Sequence, residues 1–136
     1  MVTLHSENSL AGRLGIKEGS RIIILNPPAN YRSKLERLPR GVSTMKDLGQ
    51  SLDLIQFFVT EREALDRNFP ILKRSLSKSG MLWISWPKRS SGIKADLDED
   101  VIRQIGLKNG LVDIKICAID DVWSGLKFVY RLKDRR

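Results

Sequence analysis

Pro87-Lys88-Arg89-Ser90-Ser91-Gly92 brings cations, hydroxyls and a glycine into one short run. Such a run can hold a phosphate or carboxylate through charge-assisted hydrogen bonds and exposed backbone N–H groups. It lacks the G-x-x-x-x-G-K-[ST] order, so a phosphate-binding NTPase loop is not supported. Loop flexibility alone also explains Ser-Ser-Gly, and it is the simpler account. Two more segments fall where strands should end: Asn26-Pro27-Pro28-Ala29-Asn30-Tyr31 and Thr60-Glu61-Arg62. Carboxylates cluster at Asp120-Asp121 and at Asp96, Asp98, Glu99 and Asp100. The second group falls in the first turns of an expected helix, where the dipole stabilises acids. Paired-carboxylate hydrolysis or magnesium binding finds no second cluster to meet it in sequence order. The single cysteine, Cys117, excludes an intramolecular disulfide and a multi-cysteine zinc site. The single histidine, His5, leaves little room for catalysis built on a positioned imidazole. With no histidine to activate it, Cys117 is expected to be a small core residue. No catalytic or metal-ligating residue is assigned.

Those segments need a sheet whose strands point the same way. Ile22, Ile23, Ile24 and Leu25 form an apolar run without alternation, the pattern of a strand covered on both faces. Asn26-Pro27-Pro28 ends it. A helix is predicted over 29–38, with Tyr31, Leu35 and Leu38 on one face. Residues 41–45 read as a short second strand and 51–59 as another buried one. Thr60-Glu61-Arg62-Glu63 fits the S/T-x-x-E capping box, so Thr60 is predicted to cap the next helix. That helix carries Leu65, Phe69, Leu72 and Leu76, and Pro70 should kink or split it. Ser79-Gly80 reads as its stop and 81–86 as a strong strand. A polar loop over 87–95 leads into a helix starting at Asp96, with Leu97, Val101, Ile102 and Ile105 as its buried stripe. Two alternating strands follow. One puts Val112, Ile114, Ile116 and Ala118 on one face, the other Leu126, Phe128, Tyr130 and Leu132. Alternation predicts an antiparallel hairpin at a sheet edge. Before all of these, residues 6–14 suggest a short helix capped by Ser6 or Ser9 and ended by Gly15.

The order α-β-α-β-β-α-β-α-β-β predicts a three-layer α/β sandwich with a mostly parallel, Rossmann-like sheet ending in an antiparallel hairpin. One domain over 1–136 is expected. Ligands bind such sheets beyond the carboxyl ends of the strands, near the switch in strand order. The candidate cleft there comprises Asn26, Pro27, Pro28, Tyr31, Thr60, Trp86, Lys88, Arg89, Ser90, Ser91 and Gly92. An open cleft above the first strand argues for a ligand, a filled one for a scaffold. Of Trp83 and Trp86, on opposite faces of one strand, core packing is the safer reading of each, and the one at the strand end could wall a pocket. Trp123 could anchor a partner or pack back on the sheet.

The 136 residues are 41% hydrophobic and 29% charged, too apolar and too well blocked for disorder. No apolar run approaches the roughly 20 residues of a membrane-spanning helix. No basic-then-apolar leader opens the chain, so a cytoplasmic location is expected. The net charge of +8 is uneven. Residues 67–95 hold Arg67, Lys73, Arg74, Lys78, Lys88, Arg89 and Lys94 with no acid, and the tail after Val129 is also basic. That balance attracts anionic small molecules and nucleic acid. A solvated basic face explains it without a partner, and no aromatic residues interleave as in single-strand binders. A protein partner or self-association stays open.

Several segments carry a resemblance. Leu52-Asp53-Leu54-Ile55-Gln56-Phe57-Phe58 resembles the fourth strand of class I S-adenosylmethionine-dependent methyltransferases. The stretch from Leu72 to Ser85 resembles their following helix, L-x-x-G-G-x-L turn and fifth strand, and Gly110 to Tyr130 their terminal hairpin. The resemblance implies that fold and S-adenosylmethionine as the cofactor to consider. This sequence departs from the family where the cofactor would sit. A G-x-G-x-G loop normally follows the first strand, because only glycine permits the close approach. Here the position reads Asn26-Pro27-Pro28-Ala29-Asn30-Tyr31, with no glycine and two backbone donors removed. The acid that ends the family's second strand has no counterpart, since Glu36 and Asp47 are misplaced. The third strand–helix unit is missing between Met45 and Ser51. Closer still, Leu14-Gly15-Ile16-Lys17-Glu18-Gly19, Ser85-Trp86-Pro87-Lys88-Arg89-Ser90-Ser91-Gly92 and Val122-Trp123-Ser124-Gly125-Leu126-Lys127-Phe128 resemble a widespread bacterial family of small uncharacterised domains. These resemblances carry over no catalytic residue, and S-adenosylmethionine is disfavoured as a ligand. An active methyltransferase with a non-standard cofactor loop and a nucleic-acid-binding module are the rival readings.

Overall fold

Three consecutive isoleucines must bury side chains on both faces of one strand, which requires helices above and below it. In a computed structural model, which describes residues 9–35 and 37–135, they do so from an interior strand, second from one edge of a six-stranded sheet. The strands are β1 (Arg21–Leu25), β2 (Ser43–Thr44), β3 (Leu52–Phe58), β4 (Leu76–Pro87), β5 (Leu111–Ala118) and β6 (Trp123–Tyr130). Their order is β2-β1-β3-β4-β6-β5. The first four lie parallel, and β6 runs antiparallel to both β4 and β5. Helices α1 (Leu10–Leu14) and α2 (Tyr31–Leu35) cover one face, packing on Ile22, Ile24, Leu54, Phe58 and Trp83. Helices α3 (Arg62–Ser75) and α4 (Glu99–Lys108) cover the other, on Ile23, Ile55, Phe57, Leu82 and Ile84. Ile22 and Ile24 thus face one core and Ile23 the other, as the unalternating run requires. The expected three-layer, mostly parallel sandwich with an antiparallel hairpin is the observed one. Among the described residues no helix is long and apolar enough to cross a membrane.

Several local expectations need correction. Ser9 caps α1 with its side chain on the Gly12 N–H, while Ser6 lies outside the described residues. The second helix spans only Tyr31–Leu35, and Leu38 packs against the core from beyond its end. Pro70 sits inside α3 without splitting it, and Leu76 begins β4 rather than ending the helix. Ser79-Gly80 is not a terminus between elements. It lies in a bulge within β4, since Leu52 pairs with Leu76 but Leu54 with Met81. Gly80 is required there, because a Cβ would stand 2.8 Å from the Leu52 carbonyl oxygen. Helix α4 starts at Glu99, with the Asp98 side chain accepting from the Val101 N–H at 2.9 Å. In β5 a register shift between Asp113 and Lys115 breaks the expected alternation, leaving Ile114 and Ile116 exposed.

Arg103 ties α4 to β5, bonding Asp113 as well as Glu99 and Asp100 on its own helix. Under that contact Gly106 lets the helix approach the sheet. A Cβ there would come within 2.0 Å of the Phe128 ring, which is fully buried and stacked edge-on against Phe69. Alanine is the better helix former by about 1 kcal/mol, but overpacking a fixed ring costs about 1–3 kcal/mol. Gly106→Ala is therefore expected to lower stability in urea denaturation. A stabilised variant would show that Phe128 has room to move.

Candidate functional site

Beyond β1 the chain turns to α2 and β2; beyond β3 it turns to α3 and β4, on the other side of the sheet. The two carboxyl ends therefore open between diverging connections. A cleft of about 380 Å³ lies there, with Asn26, Phe58, Thr60, Arg67, Asn68 and Trp123 among its lining residues. Trp123 stands edge-on to Phe58 with ring centroids 5.1 Å apart, so it packs back toward the sheet and forms a wall. Asp120 holds it in place by accepting from the Val122 and Trp123 N–H groups, both at 2.8 Å, and from Lys34 at 2.8 Å. Burial acts to raise the Asp120 pKa, but the Lys34 and backbone bonds outweigh it and hold the carboxyl below its ordinary range.

The turn leaving β1 is built for itself. Asn26 and Asn30 sit at φ 55° and 65°, the left-handed region that asparagine tolerates better than most residues. Pro27 and Pro28 have no N–H, and the Tyr31 N–H donates to the Pro28 carbonyl at 3.1 Å. Tyr31 does not face the cleft. Its side chain is buried between α2 and the sheet, and its hydroxyl donates to Gln56 Oε1 at 2.6 Å. Gln56 Nε2 in turn donates to Ser85 Oγ at 3.2 Å. All three residues are within 1% of full burial, so this chain of polar groups supports its own atoms and no solvent does.

Thr60 does not cap α3. Glu61 occupies the cap position without a side-chain bond, and the first free N–H, of Arg62, is met by Asp96 Oδ1 at 2.6 Å. The Asp96 N–H bonds back to the Thr60 carbonyl at 3.2 Å. These bonds join the loop after β4 to the end of β3. Thr60, Glu61, Lys94 and Asp96 line a hollow of about 370 Å³ that shares residues with the first cleft and with a second one. The second is about 480 Å³, and Trp86, Arg89, Gly92, Lys94, Asp96 and Asp98 are among its lining residues. Its charge is mixed rather than uniformly basic.

The candidate residues thus divide. Asn26 and Thr60 line the cleft at β1 and β3; Trp86, Arg89 and Gly92 line its neighbour. Arg89–Ser91 forms a 3-10 turn, in which Ser91 Oγ donates to the Lys88 carbonyl at 2.7 Å and accepts from the Ile93 N–H. Ser90 is exposed, and Lys88 is tied through its N–H to the Val122 carbonyl. Pro27 and Pro28 are half-buried behind Asn26 and line neither cleft. Trp83 is in the core and donates its Nε1–H to the Leu14 carbonyl at 2.8 Å. Cys117 is half-buried at the margin of the core. Phe58, Arg67, Asn68 and Trp123 enter the cleft without having been singled out for it. For Arg67 and Asn68 a signal existed: they follow Glu61 and Ala64 at helical spacing and share their face.

Neither a family model nor a curated protein sequence matches the chain. Solved structures do match. A methyltransferase dependent on S-adenosylmethionine, from Aquifex aeolicus, superposes with a TM-score of 0.61 at 14% identity, covering 85% of each chain. Magnesium protoporphyrin IX methyltransferase from Synechocystis, with S-adenosylhomocysteine bound, gives 0.58 at 11% identity over 90% of this chain and 78% of that one. A chain from the complex of a Haloferax volcanii methyltransferase activator and the putative methyltransferase gives 0.62 at 12% identity, covering 92% and 88%. The chain has the class I methyltransferase-like fold. Identities this low establish the fold alone.

The Tyr31–Gln56 bond sets two expectations. Tyr31→Phe leaves Gln56 Oε1 buried without its donor and should cost about 1–3 kcal/mol near neutral pH, read by urea denaturation. Burial pushes the Tyr31 hydroxyl well above the ordinary tyrosine value. The folded state then keeps its proton where the unfolded chain loses it, so stability falls as pH rises above about 10. The phenylalanine variant should lose less stability over that alkaline limb than the wild type; equal limbs would contradict the assignment. Independently, Asp96→Ala removes the acceptor at the start of α3 and should cost about 1 kcal/mol, whereas Thr60→Val should cost little.

Proposed function

We propose that this chain is a methyltransferase-like domain that does not catalyse methyl transfer and serves in the cytoplasm as a binding module for an anionic small molecule or a partner. The observation that carries the reading is the β1–α2 turn. Close approach of a cofactor to that turn calls for glycines. Here two prolines remove N–H donors, the Tyr31 N–H is already bonded, and the Tyr31 ring is locked into the sheet by Gln56. The short strand β2 ends at Thr44 and runs on to Met45 and Lys46, with no acid at the position suited to a ribose. The open cleft favours a ligand over a filled scaffold, and an anionic one is supported by Arg67 there and by Arg89 and Lys94 in the neighbouring cleft, whose charge is otherwise offset by Asp96 and Asp98.

Titration calorimetry with S-adenosylmethionine and S-adenosylhomocysteine tests the reading. No saturable heat is expected up to about 1 mM ligand, a Kd corresponding to roughly −4 kcal/mol. Saturable binding at micromolar concentration would overturn it in favour of a working transferase with an unusual loop.

A further inference from the structure

Lys115 on β5 and Lys127 on β6 are paired directly across the hairpin and share one face of the sheet. Like charges placed opposite each other destabilise an antiparallel pair, and among the described residues no carboxylate is ion-paired with either lysine. Lys127 is also opposite Trp83 on β4, with its ammonium 6.0 Å from the indole ring centroid. The end of α1 borders the same spot: the Lys127 ammonium lies 3.8 Å from where a Gly15 Cβ would stand. Lys115 Nζ reaches the Arg13 carbonyl at 3.4 Å. Arg13 sends Nη1 to the Ala118 carbonyl at 2.8 Å, yet its Nε is buried with no partner among the described residues. Lys17, two residues after Gly15, adds to the positive charge that acts on Lys127. Among the described residues none of these four cations is ion-paired with a carboxylate, and Glu18, next to Lys17, is exposed. Half-buried Lys127 is pushed below the ordinary lysine range by burial and by Lys115 and Lys17. The thiol of Cys117 is pushed up by burial, which outweighs the opposing effect of Arg13, Lys115 and Lys127.

We infer that Arg13, Lys17, Lys115 and Lys127 form a site for a phosphoryl dianion, carried by a small phosphate ester or by free phosphate, on the α1 side of the β5–β6 hairpin. A dianion set among them would relieve the cross-strand repulsion and take charge-assisted bonds from the lysines. Lys115 and Lys127 are cross-strand neighbours with Arg13 reaching the same hairpin from α1, and the positions flanking the two lysines on that face are Val112, Cys117, Gly125 and Val129, so no stripe of cations continues along the strands. A small anion suits that arrangement better than a nucleic-acid backbone, which needs a stripe of cations. The site is separate from the cleft at β1 and β3, so its failure leaves the reading of that cleft standing.

Thermal unfolding of the full chain at pH 7, in sodium phosphate and in sodium chloride of equal ionic strength, tests the inference. Phosphate stabilises most proteins slightly through exclusion from their surfaces, so the readout is the difference between wild type and variants. The wild type should gain about 5 °C in Tm over its variants when phosphate is tenfold above its Kd. Lys127→Met should lose that gain and, without phosphate, should melt above the wild type because the repulsion is gone. Lys115→Gln should also lose the gain, which keeps the test intact if the first variant folds poorly. Equal phosphate responses in wild type and variants would overturn the site. So would a dT oligonucleotide that binds through these lysines with a steep salt dependence while phosphate has no specific effect.

Discussion

The hydrogen bond from Tyr31 to Gln56 decides how the chain leaves its first strand. A phenol hydroxyl and a carboxamide are both costly to bury alone, and here the Tyr31 hydroxyl and the Gln56 carbonyl oxygen satisfy each other. Their bond pins the start of α2 against the centre of the sheet, and Ser85 on β4 completes the chain from the far side. With α2 fixed there, residues 26–30 have little freedom. Two asparagines in the left-handed region and two prolines between them bridge the gap. The surface above β1 follows from that turn: few backbone donors, an open cleft to one side, and Trp123 as its wall.

The two helical layers serve different ends. On the α3–α4 side, close contact dominates: Gly106 against Phe128, Phe69 edge-on to the same ring, and Arg103 joining helix to strand. On the α1–α2 side the helices are short, and polar groups reach under them, from Gln56 and Ser85 in the centre to Lys127 and Lys115 at the hairpin. Both the polar chain under Tyr31 and the cation cluster belong to this second face. Under the proposed binding role, a domain of this fold needs no glycine turn. It does have reason to keep polar groups on rigid strands, where their spacing is held by the sheet.

Much of this was legible in the residues. The run Ile22–Leu25 could only be a strand covered on both faces, and the alternation of Leu126, Phe128 and Tyr130 marks the strand whose apolar face meets the α3–α4 core; the element order follows from such patterns. What escaped reading is non-local or irregular. The capping box at Thr60 fits perfectly well on local grounds, but the acceptor for α3 comes from Asp96, 34 residues from Arg62. The alternation of residues predicts a regular β5, and one extra residue at Ile114 moves the pattern out of phase. Ser79-Gly80 has the composition of a turn and serves as a bulge, because the strand beside it continues past it. Tyr31 sits at the right place in the chain for a cleft residue, but helical geometry turns it inward. The cation cluster joins Arg13 to Lys115 across 102 residues, and no local window contains both.

The central claim is that the β1–α2 turn does not receive an adenosyl cofactor. Amide NMR of the isotopically labelled chain, titrated with S-adenosylhomocysteine, tests it residue by residue. The account predicts that the signals of Asn26, Ala29, Asn30 and Thr60 stay in place across the titration. Saturable shifts confined to those amides would show that the turn holds the cofactor after all and would contradict the account.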